Sequence, residues 1–358
     1  MLTRGNEKNN RTAYDYYSSC AFYLFAVLVV LLCQGVAGVV AAAIERAYAG
    51  ASSGGIFNTA CMIFFQAANF AFIYFYTRIM RKKLNFDYFK NSCGRGVTPK
   101  IVILPILLAV VLMCGMYLPT LWYGYFTRAI GIPESAGALE IDSAGAIVMI
   151  VIASVIFAPI FEETIYRGVL LHGLKDEFSV TKSVMLVALA FMMMHMSPLQ
   201  VVFQFALGVL SGYLAIKSER LLPSVILHAT ANALALIIQL TPLAAVLDGS
   251  VVWLKNHIAA AVMITILFFA VAFFICFVLL RYAFDKTHLF THGGVDAAKP
   301  DDNNDDGAAE QADSHAQEIM KEQVMSQITR RDGLARYFIG IGICAVMFII
   351  NLVSMIVL

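Results

Sequence analysis

Charge is what this sequence has least of. Of its 358 residues only 14% are Asp, Glu, Lys or Arg and 60% are apolar, with a mean hydropathy of +0.77. A soluble domain carries about 25% charged residues. The shortage coincides with several apolar runs of about 20 residues, each able to cross ~30 Å of hydrocarbon, so a soluble globular chain is excluded and an all-α polytopic transmembrane helical bundle is expected. The net charge of +1 leaves no basic face, which argues against a nucleic-acid partner. Cys20, Cys33, Cys61, Cys93, Cys114, Cys276 and Cys344 lack the spacing of a zinc site or a disulfide framework and read as small packing residues. No internal repeat stands out. The first apolar run is too long for a signal-peptide core and has no convincing cleavage site, so it is expected to stay as a span.

What is present is a series of apolar runs near residues 20–44, 56–79, 101–123, 144–172, 182–196, 199–216, 223–240, 258–281 and 335–358. Residues 1–18 form a polar tail expected on the cytoplasmic side, and residues 19–99 hold the first two spans and a basic loop. That loop, with Arg78, Arg81, Lys82, Lys83, Lys90, Arg95 and Lys100, is cytoplasmic under the positive-inside rule. The segment after the third span holds Arg128 against Glu134, Glu140 and Asp142, and is expected outside. Nine crossings then put the N-terminus in the cytoplasm and the C-terminus outside. Ser197-Pro198 breaks the short fifth run, because proline cannot continue the helical hydrogen-bond ladder. Gly208 and Gly212 in the sixth form a small-xxx-small pair suited to close helix contact. Residues 283–334 make a hydrophilic acidic linker with little to bury, expected to be disordered. The last span, 335–358, is then expected to be loosely tethered and to carry no chemistry.

Polar groups recur densely in three of these spans. The stretch Phe157 to Gly168, FAPIFEETIYRG, sets Glu162, Glu163 and Arg167 near the end of a membrane run. An ionised group at a helix centre in lipid costs roughly 3 kcal/mol or more, which makes such residues functional suspects. Glu163 and Arg167 are four apart and share a helical face, where pairing lowers the cost of burying both. Glu162 is turned about 100° away and has no partner on its own helix. Phe191 and His195 end the fifth run as FMMMH, and His228 and Asn232 share a face of the seventh in HATAN. Counting ~1.5 Å of rise per residue from the cytoplasmic ends puts Glu162 ~15 Å deep, His195 ~20 Å, and His228 to Asn232 ~9 to 15 Å. The three groups can meet in one cavity open to the cytosol.

Taken singly, each pattern has a structural reading: an ion pair steadying a bundle, or an interhelical hydrogen bond. Together they offer a carboxylate able to act as general base on water, with a histidine sharing the proton. A second histidine and an amide can donate to the oxyanion of a tetrahedral intermediate. Such a site needs no serine or cysteine nucleophile. Glutamate and histidine are also zinc ligands, but HExxH is absent and asparagine is an unusual ligand. A zinc-dependent protease with the same residues is therefore the minor reading, and no cofactor is expected. A non-enzymatic reading, an immunity factor or scaffold using the cluster as interhelical glue, and a transporter remain the other classes; a transporter would call for broken helices and an inverted repeat.

EExxxR as Glu162, Glu163 and Arg167, FxxxH as Phe191 and His195, and HxxxN as His228 and Asn232 resemble, in that order, the CPBP family. These are the CAAX proteases and bacteriocin-processing enzymes also called Abi proteins, including type II CAAX prenyl endopeptidase, and they are classed as intramembrane glutamic proteases. The resemblance covers residues 100–282, a CPBP-type protease core. It implies that Glu162 activates water with His195, that His228 and Asn232 form the oxyanion site, and that Glu163 and Arg167, with Phe191, support them. It further implies hydrolysis of a peptide bond near the cytoplasmic face, in a peptide or membrane-anchored protein, by an integral protein of a bacterial plasma membrane. The acidic linker and the last span depart from the family core.

Overall fold

The computed structural model describes residues 16–47, 97–132, 144–241, 256–283 and 331–354, and single residues at 64, 67, 68, 71 and 74. Residues 1–15 of the polar tail, most of the second predicted span, most of the basic loop, the acidic segment after the third span and most of the acidic linker lie outside the described residues. Every extended element among the described residues is helical, and seven helices are long and apolar enough to cross a membrane. Together with one shorter apolar helix, α4, they are labelled α1 (Tyr16–Ala47), α2 (Pro99–Ala129), α3 (Ala144–Lys175), α4 (Val180–Met194), α5 (Val201–Ser218), α6 (Leu222–Leu240), α7 (Ile258–Ala283) and α8 (Arg331–Ser354). The outward faces are apolar and exposed, as at Met263, Phe273 and Phe274 of α7. A bilayer is the solvent that accepts such a surface.

The short member is α4, the fifth of the predicted runs. Fifteen residues rise only ~22 Å, less than the hydrocarbon thickness, so α4 ends inside it. After His195 the chain turns through Met196, a non-glycine residue at φ 49°, and extended Ser197, and Pro198 opens a single 3₁₀ turn that leads into α5. Helices α4 and α5 thus form an antiparallel hairpin, closed by the small-residue pair. A Cβ on Gly208 would lie 2.9 Å from the Ala188 Cα, and one on Gly212 would lie 3.0 Å from Val184 Cγ1.

Helix α3 is continuous but not uniformly α. Val151–Phe157 and Thr164–Leu170 are π-helical, and the motif glutamates sit on the short α stretch between them, Ala158–Glu163. A π segment holds one residue more per turn than α geometry and is frequent at functional sites.

Helix α8 departs from its sequence expectation. Rather than hanging loosely beside a finished core, it packs along α1 and α4. Tyr337 is fully buried, lies 5.8 Å from the Tyr23 ring and donates to the Leu186 carbonyl at 2.6 Å. Gly333 and Gly340 let the helix approach Tyr16 and Tyr23 so closely that a Cβ at either would fall under 3 Å from the ring. Small residues bring helices together in lipid, where no hydrophobic force drives them.

Candidate active site

The site lies where α3, α4, α5 and α6 converge. At its centre Glu163, with no solvent exposure, is held by three side chains. Arg167 Nη1 donates to its Oε1 at 2.9 Å, His228 Nδ1 meets the same oxygen at 3.0 Å, and Ser211 Oγ donates to its Oε2 at 2.7 Å. Arg167 is also fully buried and donates through Nη2 to the Gly208 carbonyl at 3.0 Å. Gly208 therefore does two things: it lets α4 approach, and its carbonyl takes part of the guanidinium. A buried charge is tolerable only when paired and hydrogen-bonded, and this pair meets both conditions.

Glu162 is placed differently. Its side chain is 20% exposed, and Oε2 stands 3.9 Å from His195 Nε2 and 3.9 Å from His228 Nε2. That oxygen is itself buried and makes no hydrogen bond among the described residues. At 3.9 Å neither imidazole is in direct hydrogen-bond contact.

Both imidazoles are oriented by their other nitrogen. His195 Nδ1 lies 2.9 Å from the Phe191 carbonyl, an acceptor only, so Nδ1 carries the proton. His228 Nδ1 faces the Glu163 carboxylate, again an acceptor. Each ring therefore turns Nε2 toward Glu162. Phe191 packs the arrangement from behind: its ring is edge-to-face with His195 at 4.9 Å, with His228 at 5.6 Å and with Tyr166 at 5.2 Å. The Arg167 guanidinium lies over it at 4.6 Å, close enough for a cation–π contact.

Asn232 reaches α3. Its Nδ2 donates to the Ser154 carbonyl at 2.7 Å, and the local chemistry explains why that carbonyl is available. The π register pairs the Ala158 N–H with the Ala153 carbonyl; one step on, Ser154 would need the N–H of residue 159. That residue is Pro159, which has none. The side-chain amide of another helix fills the gap.

Six of the seven residues singled out in the sequence, Glu162, Glu163, Arg167, Phe191, His195 and His228, come together; Asn232, one turn beyond His228 on α6, meets the Ser154 carbonyl instead. Sequence reasoning missed Ser211 and Ser154. Ser211 had a weak signal, a hydroxyl beside the glycine pair; the Ser154 carbonyl had none, because backbone acceptors are freed by helix register. Among the described residues, no three or more His, Cys, Asp and Glu side chains are grouped so as to hold a metal ion.

Fold and site together define a polytopic helical membrane protein with a buried carboxylate–imidazole centre. Residues 144–234 match the family described as type II CAAX prenyl endopeptidase Rce1-like, the group that the three motifs resemble. The match spans α3 to α6, the helices that carry the site, and supports a membrane endopeptidase of the CAAX-protease type at the level of the family. No curated protein and no solved structure matches the chain.

Proposed function

We propose that this chain is an intramembrane endopeptidase that hydrolyses a peptide bond with water activated by Glu162. The observation that carries the reading is the placement of Glu162 Oε2 at equal 3.9 Å distances from two imidazole nitrogens, a gap that a water molecule bridges. Glu163 is a poor candidate for the base, since Arg167, His228 and Ser211 already occupy both its oxygens.

In the reaction, the water oxygen attacks the scissile carbonyl carbon and passes a proton to Glu162, with His195 Nε2 accepting a hydrogen bond from the same water. The carbonyl π electrons move to oxygen. His228, protonated on Nε2 and balanced by Glu163 behind it, donates to that oxyanion, as does the second N–H of the Asn232 amide. The intermediate then collapses, the C–N bond breaks, and Glu162 returns its proton to the leaving amine. Donors fixed in a low-dielectric site need no reorganisation as charge develops. The substrate is a peptide or membrane-associated protein cut near the cytoplasmic face, and the chemistry requires no cofactor.

The test uses Glu162→Gln, which keeps shape and hydrogen bonding but removes the base. Purified in detergent and supplied with a fluorogenic farnesylated CAAX peptide, the wild type should cleave and the variant should lose at least ~100-fold in kcat, a loss typical for a general base. Wild-type turnover by Glu162→Gln sinks the mechanism. Activity that vanishes on exhaustive chelation and returns with stoichiometric zinc replaces it with metal-assisted hydrolysis.

A further inference from the structure

The hairpin that carries His195 turns inside the hydrocarbon region, where non-helical backbone must find partners within the protein. Two of its carbonyls do, on two different helices. Asn351 of α8 donates through Nδ2 to the Met196 carbonyl at 2.8 Å, and Tyr123 of α2 donates through its hydroxyl to the Pro198 carbonyl at 2.6 Å. Met196 is also the residue with φ 49°, a backbone state that a non-glycine side chain holds only when its surroundings impose it. His195 directly precedes this turn and is the C-cap residue at which the chain leaves α4.

From this geometry we infer that Asn351, on the helix outside the family-matched segment, is a positioning residue for His195. Its amide holds the left-handed turn at Met196, and the turn sets where the His195 ring lies relative to Glu162. Three observations support this. The asparagine is the polar residue in an otherwise apolar stretch, FIINLV from Phe348 to Val353, and it reaches the hairpin. Its amide orientation is unambiguous, because the partner is a carbonyl that can only accept. The hydrogen bond also spans 155 residues of sequence, so it forms only after α8 has docked. Tyr123 is the second clamp on the same turn. The inference rests on the proposed role of His195.

The test compares Asn351→Leu, which matches the side chain in size and removes the donor, with Asn351→Gln, which keeps a donor on a longer stem. With the full chain in liposomes and the farnesylated CAAX peptide as probe, Asn351→Leu should lower kcat roughly 10-fold, as expected when a reacting group is slightly misplaced, with KM within about twofold. Asn351→Gln should recover most of that loss. A second readout needs no turnover: carbethoxylation of His195 by diethyl pyrocarbonate, followed by mass spectrometry against exposed His257. Its rate should change at least ~3-fold in Asn351→Leu and return toward wild type in Asn351→Gln. Wild-type kcat together with wild-type His195 reactivity in Asn351→Leu overturns the inference, and so does an equal fall in both variants. If the wild type does not cut the probe, the endopeptidase reading fails while the labelling still decides the positioning role. Should Asn351→Leu fail to insert, Tyr123→Phe removes the second clamp with a single oxygen, and unchanged kcat and His195 labelling there overturns it equally.

Discussion

Glu163 and Glu162 are adjacent in the chain and opposite in circumstance. The first has both oxygens engaged by donors from three helices and no exposure; the second turns an oxygen toward two imidazoles at 3.9 Å. Removing the charge of Glu163 leaves Arg167 buried without its carboxylate, a loss of ~3 kcal/mol or more for a buried pair broken on one side. Removing Ser211 Oγ deletes one hydrogen bond to a charged acceptor, about 2 kcal/mol. Thermal unfolding in detergent should therefore rank Glu163→Gln below Ser211→Ala, and both below the wild type. Equal midpoints for all three would mean that the carboxylate is not a keystone of the fold. The i, i+4 period made the Glu163–Arg167 pair readable in the sequence. Ser211 and His228 were not readable as partners of Glu163, because nothing local says which helices will face each other.

Helices supply the geometry in which these residues act, and two local features matter most. In α3 the π register at Val151–Phe157 and the missing N–H of Pro159 free the Ser154 carbonyl for Asn232, which ties α6 to α3 beside the site. In the α4–α5 hairpin the two glycines differ in kind. A Cβ on Gly208 would meet the backbone of Ala188 at 2.9 Å, whereas a Cβ on Gly212 would meet a Val184 methyl at 3.0 Å, which a rotamer change can relieve. Gly208→Ala should cost roughly 1–3 kcal/mol through overpacking, displace the carbonyl that Arg167 uses, and lower peptidase activity. Gly212→Ala should cost less. Melting curves of the two variants side by side check the order, and a reversed order would mean that α5 packs on α4 through another face. The glycine pair was visible in the sequence, as was the break at Ser197-Pro198. The π register was not, since the extra residue in a turn leaves no compositional mark.

Across the whole molecule, α1 and α8 run parallel: Tyr16 faces Gly333, Tyr23 faces Gly340, and Arg336 donates to the Tyr17 hydroxyl. Both helices therefore begin at the same face of the bundle. Helix α3 runs against α1, with Tyr166 beside Tyr23 and Phe178 beside Tyr16, so the α3–α4 connection lies at that face as well. Replacing Tyr17 and Arg336 by cysteine should yield a disulfide in membranes under mild oxidation, and each single cysteine should react with an impermeant maleimide from the same side. Labelling from opposite sides, or no cross-link, would contradict the packing of α8 on α1.

The sequence alone determined the class of molecule and named the residues from which the candidate site is built. A charge content of 14% forces a bilayer as solvent, and helical periods of three to four residues decide which neighbours share a face. Those are local consequences of lipid and of helix geometry. Only the tertiary structure decided how the roles divide: which glutamate is enclosed and which faces the imidazoles, which nitrogen each histidine presents, and that the last helix is part of the core. Such outcomes depend on which helices pack together and at what register, and contacts such as Asn351 to Met196, 155 residues apart, exist only once the bundle has closed.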